Sequence, residues 1–300
     1  MNDTTIEQKA EIERYLRLGD HDARFAVWPG CTLVAQHQTG SHALKRALIE
    51  AIEERVLGLP IPMPVLHSDP VSFTRSKIEP MVRGLFPAVE QERVLALLER
   101  SVVFLTPGTI RPALEEMPWL HSAWAMANLY LGSVGAELLS GEAPQIVGMS
   151  IETTCFVSME YFGQTPRFSD YIVHEAAHVF HNCRRGTAGL RETRRRQWLL
   201  ELEFRKRETF ACCCEAYSRI LELATRFQDR SRVVEELAGG GLPDDGSIDL
   251  VECVDILSEA AAARNGWKRI LARCAPKGIV AEEMTTTYYL GRQTLLTSGR

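Results

Sequence analysis

Apolar side chains recur at intervals of three and four along much of this chain, the spacing that brings them to one face of an α-helix. Near the N-terminus this pattern covers residues 5–18 and 41–57. Short apolar runs at Ala26–Trp28 and Cys31–Ala35 predict strands instead, and the Pro-rich stretch Leu59–Pro64 is typical of a connector. The beginning of the chain is therefore expected to have mixed structure.

The middle of the chain alternates strand and helix signals. Val102–Leu105 predicts a strand, and Trp119–Leu139 predicts an apolar helix that ends at the following Ser140-Gly141 pair. Residues 145–159 are rich in Ile, Val, Thr and Phe, which favours one or two strands, with a hairpin as the expected arrangement. These signals predict a small sheet beside a packing helix.

More helices follow the predicted hairpin. Ser169 is a suitable N-cap for a helix that runs to about Cys183, and a longer helix is expected over about Thr193–Phe227. Helical patterns return near 247–264 and 266–274.

The order of these elements indicates an α+β fold, in which a core carries mainly helical additions. We divide the chain into an accessory region of mixed structure at 1–100, a core at 101–230 and a C-terminal helical extension at 231–300.

Composition narrows the class of protein. A chain of 300 residues with 45% hydrophobic and 24% charged residues can bury a core without disulfides. The net charge of −5 gives no global attraction to phosphate, so nucleic acid is not an expected partner except at a local patch. No leader pattern and no apolar run of about 18 residues is visible. We expect a soluble, cytoplasmic protein with no membrane contact.

The segment His174-Glu175-Ala176-Ala177-His178 carries the clearest chemical signal. Two histidines four positions apart on a helix lie one turn apart, so both can place a ring nitrogen about 2.0–2.1 Å from one zinc ion. At 100° per residue, the apolar side chains of this helix lie opposite the histidines, which leaves one side for the core and the other for a metal. The apolar side consists of Ile172, Val173, Ala176, Val179, Phe180 and Cys183.

Glu175 lies about 60° to 100° around the helix from the histidines, so it would flank a metal ion rather than bind it. Zinc lowers the pKa of water to about 7, and a neighbouring carboxylate can take the proton of the attacking water and return it to the leaving amine. This pattern predicts Glu175 as the general base of peptide hydrolysis. A solvated helix face that merely collects histidines is the alternative interpretation.

A catalytic zinc needs a third protein ligand, which we expect from the long helix. Glu201, Glu208 and Glu215 are spaced by seven and share one stripe, so helix phase cannot choose among them. We select Glu208 because the positions after it are apolar nearly all round, and a carboxylate in that environment needs a cation. Glu215 is expected to support a ligand histidine. Glu215 and Glu201 remain alternative ligands, and the shorter return path from His178 favours Glu201.

Two further features have weaker signals. His181 shares the histidine stripe but stands two turns from His174, so a surface or supporting role is expected, with ligation as the alternative. The basic segment 184–207 contains nine Arg and Lys residues. A solvated face is the simplest interpretation, and a docking site for an acidic partner or a nucleic acid beside the cleft is the alternative.

The motif His174-Glu175-x-x-His178, followed about thirty positions later by a helical glutamate, resembles the gluzincin division of the HExxH zinc metallopeptidases. The predicted order of elements is similar to their minimal forms, which include the intracellular ImmA/IrrE-like peptidases that cleave repressor proteins. The resemblance covers about residues 119–227, with Arg207–Ala211 as the glutamate segment. It implies Zn²⁺, a zincin-like metallopeptidase core and an edge strand within 145–159 that binds substrate backbone by strand addition.

The sequence does not match two other families that use the HExxH motif. The metzincin continuation is absent, because Val179-Phe180-His181 follows His178. Peptide deformylase uses an upstream cysteine ligand within its own motif, and Cys155 lacks that setting.

The sequence therefore predicts a cytoplasmic zinc metalloprotease, a hydrolase that cleaves a narrow intracellular protein or peptide substrate. The alternative is a non-catalytic zinc-containing binding or regulatory protein that uses the basic segment 184–207 to contact a partner. A zinc hydrolase that acts on a small amide is a third hypothesis.

Overall fold

The structure is a computed structural model that describes residues 4–60, 69–143, 146, 148–162, 166–240 and 248–276. Parts of three sequence-based predictions lie outside these residues: 61–64 of the connector, 145 and 147 of the hairpin region, and 241–247 and 277–300 of the C-terminal extension.

The described fold is α+β and mostly helical, with one small three-stranded sheet, as the order of sequence patterns predicted. In chain order the helices and strands are α1 (Ile6–Leu18), α2 (Leu33–Val56), α3 (Pro70–Leu85), α4 (Ala88–Ser101), β1 (Val102–Leu105), α5 (Ile110–Glu116), α6 (Leu120–Ser133), β2 (Gly148–Ile151), β3 (Thr154–Ser158), α7 (Tyr171–Asn182), α8 (Arg207–Leu223), α9 (Arg230–Ala238), α10 (Leu250–Ala262) and α11 (Gly266–Cys274). None of the helices in these described ranges has the length and apolar character needed to cross a membrane.

The sheet has the strand order β1-β3-β2, so β2 is an edge strand. Two residues join β2 to the neighbouring β3, a connection that only antiparallel strands allow, and the predicted hairpin is confirmed. Glu152 opens this turn with φ of 53°, in the left-handed region that such short turns use. The predicted strand Val102–Leu105 is also confirmed.

The chain divides into two compact units. The first contains residues 1–66, 103–149 and 156–164, and the second contains 67–102, 150–155 and 165–300. These limits differ from the expected boundaries after residues 100 and 230. The reason is that α3 and α4, which the sequence pattern did not single out, pack against α7 within the second unit.

The first unit is held by helix packing and by specific hydrogen bonds. The hydroxyl of Tyr15 in α1 donates to the carbonyl of Leu120 at 2.7 Å, and the indole of Trp124 donates to the carbonyl of Leu16 at 2.9 Å. Both aromatic side chains are buried, so these bonds satisfy groups that would otherwise be costly to remove from water.

The predictions of strands at Ala26–Trp28 and Cys31–Ala35 are wrong. The first run forms turns, and the second leads into α2, where the Thr32 side chain caps the helix by accepting the N–H of Ala35 at 3.2 Å. The helix predicted to Leu139 also ends earlier, at Ser133, because Gly135 adopts a left-handed φ of 69° just beyond it.

The long helix predicted over Thr193–Phe227 is the largest error, since α8 begins only at Arg207. Residues before it pair with the end of α7: Leu199 N–H donates to Cys183 at 3.0 Å and Leu200 N–H donates to Phe180 at 2.9 Å. These two leucines are adjacent and both buried, which suits an extended segment and not a helix with one apolar face. The spacing of seven between Glu201, Glu208 and Glu215 had suggested one continuous helix. The two C-terminal helices, in contrast, confirm the patterns near 247–264 and 266–274.

The second unit places α7 and α8 side by side. α3 and α4 cover α7, with the rings of Phe86 and Phe180 5.2 Å apart, while α10 and α11 pack on α8. The predicted apolar side of α7 is confirmed, because Ile172, Val173 and Phe180 are fully buried. The opposite side of α7 therefore faces the residues of the candidate site.

Candidate metal centre

Helix α7 is fixed at its beginning by Asp170, not by Ser169 as predicted. The Asp170 carboxylate accepts the N–H of Val173 at 3.4 Å and lies 3.1 Å from the Lys77 ammonium in α3. A charged carboxylate suits a helix N-terminus better than a hydroxyl does, because the helix dipole is positive there. This cap fixes the first turn of the helix that carries the two histidines.

Three side-chain donors converge between α7 and α8. The Nε2 atoms of His174 and His178 are 3.2 Å apart. Glu208 Oε1 lies 3.2 Å from His174 Nε2, and Glu208 Oε2 lies 3.4 Å from His178 Nε2. Bonds of about 2.0–2.1 Å in a tetrahedral zinc site separate neighbouring donors by roughly 3.3–3.4 Å. The three residues form a group that could hold a metal ion.

Of the three glutamates weighed from the sequence, only Glu208 approaches both histidines. Glu201 lies in the extended segment before α8, where its carboxylate accepts the N–H groups of Gln197 at 2.6 Å and Trp198 at 3.0 Å. It stabilises a turn of the chain, because it satisfies two backbone donors at once.

Glu215 joins α8 to the start of α7. One carboxylate oxygen lies 2.9 Å from His174 Nδ1, and the other accepts the N–H of Asp170 at 2.8 Å. A carboxylate on Nδ1 favours a proton on that nitrogen, which leaves Nε2, on the side of Glu208 and His178, as the nitrogen available to a metal ion. The supporting role of Glu215 stays a prediction, and this contact with His174 is the arrangement that the role requires.

His181 contacts the Nδ1 atom of His178, just as Glu215 contacts the Nδ1 atom of His174. It is buried, and its Nε2 lies 3.0 Å from His178 Nδ1. Its ring therefore contacts the far side of His178 and does not join the group formed with Glu208.

Glu175 is buried beside this group, with 7% of its surface exposed. Burial raises the pKa of its carboxyl to about 7, and Glu208 adds to the increase, while His174 and a hydrogen bond with Ser150 oppose it. Ser150 lies in the edge strand β2, so the strand and the carboxyl group are held together. A carboxyl group with a pKa near neutrality can both accept and donate a proton at neutral pH.

The charges of the group are strongly coupled. Burial opposes charge on His174, but hydrogen bonds with Cys212, Glu208 and Glu215 outweigh it and raise the pKa of His174 well above its usual value. The hydrogen bond from His174 lowers the pKa of Glu208 to about 2. Burial and the charge of His174 lower the pKa of His178 to about 3. A bound metal ion would compete with protons for the two Nε2 atoms and would change these pKa values.

Three further residues lie at or next to the site, and two of them, Lys77 and Ser150, were not singled out from the sequence. Cys212 lies one turn after Glu208, with its sulfur 3.8 Å from the Glu208 carboxylate, and it forms a second possible donor group with His174 and Glu215. The spacing of four to Glu208 was the available signal. Lys77 and Ser150 had none, because they come from elements distant in the chain.

Comparisons of this chain with models of protein families, with curated proteins and with solved structures give no match. A function is therefore assigned from the geometry of the metal centre and from the sequence motif.

Proposed function

We propose that the chain is a zinc-dependent endopeptidase of the gluzincin type, in which His174, His178 and Glu208 bind Zn²⁺ and Glu175 is the general base. The observation that carries this proposal is the convergence of the three donors with separations of 3.2, 3.2 and 3.4 Å. In this assignment α7, α8 and the small sheet form a zincin-like core.

The chemistry of the donors favours zinc over other common ions. Two imidazoles and one carboxylate form a mixed nitrogen and oxygen set of three, which suits a four-coordinate ion with one place left for substrate or water. Calcium and magnesium require six or more ligands that are mainly oxygen. Bound zinc would polarise the scissile carbonyl as a Lewis acid and increase the acidity of water.

Side chains of the protein would carry out the proton transfers. The Glu175 carboxylate takes a proton from the attacking water and passes it to the leaving nitrogen, a task that suits its pKa of about 7. The Ser150 side chain, hydrogen-bonded to Glu175, orients that carboxylate. The backbone of β2, at the edge of the sheet, is suited to pair with an extended substrate.

Glu215 provides a test of this assignment, because its carboxylate contacts His174 Nδ1, the ring nitrogen that does not face Glu208 and His178. We expect Glu215→Gln to lower zinc affinity by about tenfold to a hundredfold. Competition with a coloured chelator measures the change, and Glu201→Gln, a matched substitution in the turn before α8, should leave the affinity unaltered. Equal affinities for wild type and Glu215→Gln would contradict the supporting role.

The activity itself is tested by incubating the zinc-loaded chain with a diverse peptide mixture and a panel of small amides. We expect internal peptide bonds to be cleaved, activity to disappear after chelation and to return when zinc is restored, as mass spectrometry of the products would show. Cleavage restricted to small amides would replace the endopeptidase assignment with an amidase.

A non-catalytic zinc site is the second candidate function, and Cys212 is the observation that favours it. Its thiol lies 3.8 Å from Glu208 Oε1 and offers a further donor, which could close the coordination of the ion. A chain that binds zinc tightly and cleaves neither peptides nor amides would support this candidate. The basic segment 184–207 would then serve to bind a partner.

A further inference from the structure

The chain between α7 and α8 forms a hairpin rich in arginine. Arg184 and Trp198 pair as antiparallel strands, and Thr193 and Arg196 exchange both backbone hydrogen bonds, at 3.0 and 3.2 Å. Arg194 and Arg195 therefore occupy the tip of a tight turn. We call residues 184–198 the arginine hairpin.

The base of the arginine hairpin is fixed to the metal centre. Backbone N–H groups that follow it donate to the carbonyl oxygens of Phe180 and Cys183 at the end of α7, two and five residues beyond His178. The Arg185 guanidinium is buried and forms an ion pair with Glu90 in α4. The hairpin thus has a defined position relative to the histidines, unlike a loose loop.

The hairpin is rich in positive charge, and four of its six arginines have partners. It contains six arginines and one glutamate, Glu192, in a chain whose net charge is −5. Arg191 and Arg194 are exposed, and no carboxylate in the described part of the chain lies within ion-pair distance of either. Exposed guanidinium groups without partners raise the local positive potential and attract acidic groups.

A cavity of about 460 Å³ adjoins the base of the hairpin. Arg93 and Arg100 of α4 line one side, and the Arg93 guanidinium donates to the carbonyl of Gly189 in the hairpin. The hydroxyl-bearing residues Ser101, Thr153, Thr154 and Thr187 also line it. No carboxylate belongs to its lining among the described residues, so the cavity offers donors suited to an acidic side chain.

We propose that the arginine hairpin and this cavity dock an acidic segment of the protein substrate, whose scissile bond then enters the metal centre. This inference rests on the proposed function for its link to hydrolysis. A polypeptide is the occupant that the position favours, because the hairpin joins the two helices between which a peptide bond would be cleaved.

Binding is tested in the zinc-loaded Glu175→Gln protein, so that no peptide is consumed. The probe is a fluorescein-labelled poly-glutamate of about 20 residues, followed by anisotropy. We expect the combined changes Arg100→Gln, Arg191→Gln and Arg194→Gln to weaken binding by about tenfold or more, and added salt to weaken wild-type binding. The same changes to Lys should retain most of the affinity, which shows that charge, and not folding, is responsible.

The matched control replaces Arg17, Arg24 and Arg264, three exposed arginines elsewhere in the chain, with Gln. This variant has the same net charge as the hairpin variant and should bind poly-glutamate within about twofold of wild type. Equal losses in both variants would mean that only the total charge matters and would refute a docking site. Tighter binding of duplex DNA than of poly-glutamate, lost in the hairpin variant, would also refute it.

Hydrolysis separates this inference from the proposed function. With Glu175 intact, the hairpin variant should lower kcat/KM for peptides that carry an acidic flank and leave neutral peptides unchanged. If both kinds of peptide are cleaved equally well by the variant and by wild type, the docking proposal is wrong and the peptidase assignment stands. If no peptide is cleaved while poly-glutamate binding still depends on the three arginines, the peptidase assignment is wrong and the acidic docking surface is supported.

Discussion

Replacement of Glu175 by Gln is expected to lower kcat for peptide hydrolysis by roughly a hundredfold to ten-thousandfold while the zinc content stays unchanged. The amide has nearly the shape of the carboxylate but cannot accept the proton of the attacking water. Because Glu175 lies beside the donor group and is not part of it, its loss should not weaken metal binding. Initial rates on a cleaved peptide, together with metal analysis of the same sample, measure both effects.

Glu235→Gln is the control for this experiment. Glu235 is exposed in α9 and forms no ion pair in the part of the chain that the structure describes, so its loss of charge should alter neither activity nor zinc. Retention of full activity by Glu175→Gln would remove the general base from the proposed mechanism. Loss of zinc by that variant would instead place Glu175 among the ligands.

The second large effect is expected on metal binding. Glu208→Ala and His178→Ala should each weaken zinc binding on the order of a hundredfold to a thousandfold, because each removes one of three protein donors. Dialysis against a chelator of graded affinity, followed by metal analysis, should find zinc in wild type under conditions where both variants have lost it.

The control for the ligand assignment is Glu201→Ala, which removes another of the three glutamates that are spaced by seven in the sequence. Glu201 bonds to two backbone N–H groups, so its loss should reduce stability slightly and leave zinc affinity near that of wild type. Zinc retained by Glu208→Ala and lost by Glu201→Ala would reverse the choice between these glutamates.

A chain of contacts links the candidate metal centre to the first hundred residues. Lys77 in α3 lies 3.1 Å from the Asp170 carboxylate, the Asp170 N–H donates to Glu215, and Glu215 contacts His174. Buried polar groups connected in this way are each satisfied, which fixes their positions. Lys77, which lies in the region expected to be accessory, therefore supports the start of the helix that carries the histidines.

The sequence by itself determined the local features of this protein. The spacing of His174, Glu175 and His178 on a helix, together with the apolar residues on its opposite side, depends only on helical geometry, and the α+β class followed from the order of the elements. The hairpin β2–β3 could also be predicted from the sequence, because two runs of strand-forming residues separated by a short turn pair with each other.

Only the tertiary structure decided which distant groups meet at the site. Glu201, Glu208 and Glu215 share one periodic pattern, and what separates them is the extended segment before α8, whose backbone pairs with the end of α7. The approach of Ser150 and Lys77 had no local signal either, since long-range packing of separate elements brings them to Glu175 and Asp170. Local periodicity reports which face a residue occupies, whereas its partners depend on how whole elements pack.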